Sequence, residues 1–133
     1  MPFPIPESEI LKTEQKLGLT FPASFRAAMM QENGGEIITD EDEWEIHPFL
    51  DTTDSKRLSR TCNDILQETK AAKEWGQFPG NGVAIAGNGC GDLLFFLPAA
   101  SEPARLDDKV YAFWHEGARI ENFAQSFAEL QRS

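Results

Sequence analysis

A chain of 133 residues, 41% hydrophobic with ten phenylalanines and three tryptophans, can bury roughly two-thirds of its unfolded surface around one core, which argues against disorder and against any need for stabilising metals or disulfides. Its 22 acidic and 12 basic residues leave a net charge of −10. That balance argues against direct binding to nucleic acid or an anionic membrane, because phosphate contacts require clustered Lys and Arg.

One domain over residues 1–133 is expected. No apolar run is long enough to cross a membrane. The opening Met-Pro-Phe-Pro-Ile-Pro lacks the basic and apolar regions of a secretory signal, so the expected compartment is the cytoplasm. Cys62 and Cys90 stand far apart without metal-ligand spacing and read as free, buried thiols.

In chain order, Pro6 suits the first position of a helix and Gly18 the position just past its end, with Ile10, Leu11 and Leu17 as a modest apolar stripe. Leu19-Thr20-Phe21-Pro22 is an extended link. Pro22 opens a second helix that turns Phe25, Ala28 and Met29 inward and stops at Asn33-Gly34-Gly35. Short strands are expected at residues 36–39 and 44–50, the second with Trp44 and Ile46 on one face until Pro48 disrupts it. Between Arg26 and Lys56 there is no basic residue and there are nine acidic ones, densest from Asp40 to Glu45.

Asp51, Thr52, Thr53 and Asp54 offer N-caps to what reads as one helix closed by Trp75-Gly76. Leu58, Thr61, Cys62, Ile65, Leu66, Thr69 and Ala72 recur in it at three- and four-residue steps. Residues 83–96 read as a β-hairpin. Its turn is Gly87-Asn88-Gly89-Cys90-Gly91-Asp92, and its apolar arms do not alternate cleanly, as expected of central strands. The glycines do not suggest a phosphate site, since the sixth place is Asp92 and a strand follows instead of a helix. After a polar loop over residues 99–108, Val110 to His115 form a strand with Val110, Ala112 and Trp114 on one face and Tyr111, Phe113 and His115 on the other. Asn122 then caps a final helix with Phe123, Phe127 and Leu130 inward. The sum is an α+β fold, an antiparallel β-sheet with helices packed mainly on one side.

Cys90, His115 and Asp92 are the residue types of a nucleophile, a base and an orienting carboxylate, as in a Cys/His hydrolase. No flanking sequence marks an activated cysteine, and a cysteine between two glycines fits a close-packed turn equally well. His47, Cys62, Cys90 and His115 lack the paired spacing of a zinc site. No catalytic, metal-binding or cofactor-binding residue is therefore assigned, and no cofactor is expected. His115-Glu116 reads as a hydrogen-bonded structural pair, and Asp92 as a residue that pins its turn through the local backbone.

Three stretches in this order and spacing carry a family resemblance. They are Leu19-Thr20-Phe21-Pro22-Ala23-Ser24-Phe25-Arg26 through Glu32-Asn33-Gly34-Gly35, then Ala84-Ile85-Ala86-Gly87-Asn88-Gly89-Cys90-Gly91-Asp92-Leu93-Leu94-Phe95, then Val110-Tyr111 with His115-Glu116 and Ala124-Gln125-Ser126-Phe127. Together they resemble the SUKH superfamily, named for the yeast Smi/Knr-type cell-wall regulator and including many bacterial immunity proteins. Phe21-Pro22 stands where the family usually has Leu-Pro. The resemblance implies an antiparallel sheet with packed helices, no catalysis, and a protein partner, most often a toxin such as a nuclease that is neutralised by occlusion. A regulatory adaptor that binds a cellular protein is the alternative.

Charge independently suggests where a partner would sit. A nuclease presents a basic cleft, and a concentrated negative surface would be steered into it. Asp40, Glu41, Asp42, Glu43 and Glu45 are the candidate partner-binding residues, with Trp44 as an aromatic anchor. The plainer alternative is a solvated acidic loop beside a core tryptophan. The expected state is a monomer or a weak homodimer through an open sheet edge.

Overall fold

The computed structural model describes residues 2–132. The expected hairpin forms from β3 (Val83–Gly87) and β4 (Leu93–Phe96), which pair antiparallel. All four residues of β4 are buried: Leu94 and Phe96 enter a large core, and Leu93 and Phe95 enter a smaller one on the opposite face. In β3 the register shifts between Ala84 and Ala86. This bulge lets the consecutive residues Ile85 and Ala86 both join the large core. β5 (Val110–Trp114) pairs with the other side of β4 and sorts as its alternation predicts, with Val110, Ala112 and Trp114 toward the large core and Tyr111 and Phe113 toward the smaller.

With β1 (Glu36–Ile38), β2 (Glu43–Ile46) and β6 (Arg119–Ala124), these strands make a six-stranded antiparallel sheet ordered β1 to β6. The fold is α+β, as the sequence suggests. Helices α1 (Glu7–Leu17) and α2 (Ala23–Gln31) cover the large core, which is rich in aromatic edge-to-face contacts. The Phe25 ring meets Phe96 at 5.3 Å and Phe127 at 4.8 Å.

The inner face of α1 is more polar than its stripe predicts: Leu11 is 45% exposed, while Glu9, Thr13 and Glu14 are buried. These carboxylates hold loops. Glu14 accepts from the Phe21 amide at 2.8 Å and pairs with Arg26, and so fixes the link that delivers Phe21 to the core. Glu9 accepts from the Thr52 amide at 2.6 Å and from its hydroxyl, and takes Lys12 Nζ at 2.7 Å. Asn33 acts likewise, exchanging two 2.8 Å hydrogen bonds with the backbone of Phe49.

Two expected helices are corrected. The helix read over residues 54–75 is α3 (Ser55–Arg60) and α4 (Ile65–Glu74), each with its own aspartate cap, Asp54 bonded to the Arg57 amide and Asp64 to the Gln67 amide. Thr61 breaks the run, because its hydroxyl donates back to the Arg57 carbonyl and accepts from the Asp51 amide. Leu58 consequently lies 45% exposed. The final helix is a strand, β6, followed by a single 3-10 turn from Phe127 to Glu129. Gly117 and Ala118, both at positive φ, turn the chain sharply after β5, so the next apolar residues pair across a hairpin.

α4 also modifies the expectation that helices gather on one side. It runs beside β3 where β2 has turned away, and Thr69 Oγ1 accepts at 2.9 Å from the Ala84 amide, replacing a strand partner. From there Ile65 reaches the large core and Ala72 the smaller one, which Phe78 completes. Trp44 in β2 meets Trp114 in β5 at 5.9 Å and Phe123 in β6 at 5.6 Å, so the sheet curls until β2 reaches β5 and β6 across the core. Among the described residues no helix is long and apolar enough to cross a membrane.

The two largest downward shifts, at His47 and Glu9, make stability depend on pH. Burial pushes the His47 imidazole from 6.5 down to about 4. Burial alone would raise the Glu9 carboxyl, but the hydrogen bonds from Lys12 and Thr52 outweigh it and hold that group at about 2 against an ordinary 4.5. Both values are depressed, so each contribution is complete above the ordinary pKa and is lost as pH falls toward the folded one. Unfolding free energy should therefore fall in two steps, from about pH 6.5 to 4 and then from 4.5 toward 2. Denaturant titrations across this range should show His47→Asn removing the upper step and Glu9→Gln reducing the lower, to which the depressed Asp92 carboxyl also contributes.

Candidate functional site: the acidic first hairpin

The β1–β2 hairpin divides the acidic run between two surfaces. Asp40, Glu41 and Asp42 form the turn, which Thr39 closes by exchanging bonds with the Asp42 backbone at 2.9–3.0 Å. Glu43 and Glu45 alternate with Trp44 and Ile46, so the carboxylates face solvent while the apolar side chains face the core. Trp44 is fully buried. It is therefore not an exposed anchor but the support under the patch, its size spent on joining β2 to β5 and β6.

Strand register adds residues the sequence reading did not assign. Glu36 lies directly opposite Glu45, and Glu43 opposite Ile38, which is 46% exposed. The outer face of the hairpin thus carries Glu36, Glu43 and Glu45 around one exposed aliphatic side chain. Across the neighbouring helix, burial pushes the Glu68 carboxyl up and the negative charges of Glu45 and Asp64 push it further. The negative field therefore extends onto α4. Glu36 could have been found by pairing the two strands about their turn, whereas Glu68 is distant in sequence and carries no local signal.

On the other side of the turn, a hollow of about 350 Å³ is lined by Asp40, Asp42 and Glu121, the last paired with Arg119, and by Trp114 and Phe123, with the buried Trp44 beneath them. Carboxylates over aromatic rings favour a cation. A second hollow, about 470 Å³, opens between α3 and the base of the hairpin, with Arg57 and Arg60 on one wall and Glu36 and Glu45 on the other. Both arginines stand by the Phe3 ring, Arg57 at 4.8 Å and Arg60 at 5.1 Å from its centre.

The hydrolase constellation is only partly assembled. Asp92 Oδ1 accepts from both the backbone amide of His115, at 2.9 Å, and its Nδ1, at 2.7 Å, while Oδ2 accepts from Asn88 Nδ2 at 2.9 Å. Asp92 thus pins the turn through its side chain and ties it to the end of β5. His115 bonds to Asp92 and not, as the sequence suggests, to Glu116. Burial would raise the Asp92 carboxyl, but these bonds outweigh it and hold it below its ordinary value. Gly91, at φ 97°, packs where a Cβ would lie 3.1 Å from the His115 ring. Both Cys62 and Cys90 are exposed, not buried, since one follows the break after α3 and the other tops the turn. Among the described residues no three His, Cys, Asp or Glu side chains gather around a common metal position.

Asp92→Ala should cost about 1.5–3 kcal/mol, the loss of charge-assisted bonds to Asn88 and His115. Asp92→Asn, which keeps an acceptor, should cost less; urea denaturation measures both.

No curated protein and no solved structure matches this chain. The family model described as SMI1 / KNR4 family (SUKH-1) matches residues 4–132, spanning both helices of the large core, the whole sheet and the Asn88–Asp92 turn. The chain therefore belongs to the SMI1 / KNR4 family (SUKH-1).

Proposed function

We propose that this chain is a non-catalytic, cytoplasmic immunity protein that neutralises a basic toxin domain, of nuclease type, by stoichiometric occlusion. One observation carries the reading: Glu36 stands directly across the first hairpin from Glu45, on a face that also bears Glu43 and the exposed Ile38. Like charges directly opposite on a strand pair cost the free protein up to about 1 kcal/mol. A partner that brings Lys and Arg onto this face relieves the repulsion and gains an apolar contact. The turn side adds the aromatic-floored hollow beside Asp40, Asp42 and Glu121, a fitting seat for one guanidinium or ammonium group. Membership of the SMI1 / KNR4 family (SUKH-1) supports binding alone as the activity proposed.

Co-expression of the toxin domain encoded beside this gene, with and without this chain, should give survival only with it. Death in both cases, with both proteins soluble, would overturn the immunity reading and favour an adaptor. Replacing Asp40 and Asp42 with Asn, and Glu41, Glu43 and Glu45 with Gln, should slow association with that domain roughly tenfold at low salt and flatten its salt dependence. Stability should hold or rise slightly as the Glu36–Glu45 repulsion is relieved, which thermal unfolding checks.

A further inference from the structure

The two edges of the sheet are treated differently. β1 is covered: the C-terminal segment bridges Ile37 through Arg132, the Ile38 amide donates to the Gln131 carbonyl at 3.1 Å, and the Arg132 guanidinium donates to the carbonyls of Ala28, Glu32 and Gly34. β6 is open. Residues 119–122 are all exposed, and among the described residues no hydrogen bond reaches the β6 backbone from beyond its pairing with β5. The strand has no proline and no lysine, two common devices that keep open edges apart.

We propose that β6 pairs with β6 of a second copy of this chain, antiparallel about a two-fold axis at Ile120. The occupant follows from the order of charges. With the axis there, Arg119 of each copy faces Glu121 of the other, and Ile120 faces its own counterpart. Arg119 and Glu121 already pair within the strand at 3.1 Å, so the dimer would carry a closed ring of four alternating charges on one side of the joined sheet. On the other side the two Ile120 side chains, each 46% exposed and next to Phe113 in register, would cover one another and extend the smaller core across the interface. The axis one residue further on would instead set Glu121 against Glu121, a like-charge pair that disfavours that register. The net charge of −10 on each copy opposes approach, and an edge contact falls below ~1,200 Å². The dimer is accordingly weak and concentration-dependent; it leaves Glu36, Glu43 and Glu45 on the outer face of the hairpin free but engages Glu121, which borders the hollow beside the turn.

Sedimentation equilibrium of the full chain from about 10 μM to about 1 mM, the range of a small transient interface, should show reversible dimerisation. Arg119→Glu alone and Glu121→Arg alone should each raise the dimer dissociation constant about tenfold, and the two together should restore it, since the swapped charges again oppose one another. In a background with Cys62→Ser and Cys90→Ser, Ile120→Cys should form a disulfide-linked dimer under mild oxidation, fixing the axis. A monomer throughout the range, a double swap that fails to restore pairing while circular dichroism reports a native fold, or β6 amides that gain exchange protection only when the toxin domain is added would overturn the proposal.

Discussion

Strand β4 has no solvent face, and the rest of the molecule follows from that. Leu94 and Phe96 demand cover on one side and Leu93 and Phe95 on the other. A single sheet can satisfy this only with elements on both faces. α1 and α2 supply one layer, while α4 and Phe78 close the other, α4 by running alongside β3 and not over the sheet. The bulge at Ile85 serves the same need, turning two consecutive residues of β3 to the larger core.

Polar groups set where that cover sits. Glu14 fixes Phe21, Asn33 fixes Phe49, and Asp92 ties the central turn to β5. A buried carboxylate or amide that meets backbone donors replaces hydrogen bonds otherwise lost to desolvation, and its direction specifies one loop path among many. The Asn-Gly-Cys-Gly-Asp turn is held by its own side chains: its aspartate bonds both Asn88 and, across from it, His115.

The antiparallel sheet, its central hairpin and the faces of β5 were legible because two-residue alternation and turn residues are local signals. The α3–α4 break was not, because Thr61 fits a helical period and ends the helix only through its bond to the distant Asp51 amide. Likewise Phe123 and Phe127 suit helix and strand spacing alike, and the choice belongs to the positive-φ turn at Gly117 and Ala118 and to β5. At the candidate site the run of acids was plain, but its division was not. Trp44 looked like an anchor because charge surrounded it, yet its ring closes the curl of the sheet, and Glu36 entered only through register.

The proposed function uses the fold as a platform that displays one acidic hairpin, and would seat the partner on the side of β1 and β2 that the core does not use. Hydrogen exchange of this chain, alone and in complex with the basic toxin domain proposed as its partner, tests that claim most directly. The account predicts added protection at residues 36–45 and little change in β4 or at the Asn88–Asp92 turn. Protection confined to the α1–α2 surface or to that turn, with the hairpin unchanged, would contradict it.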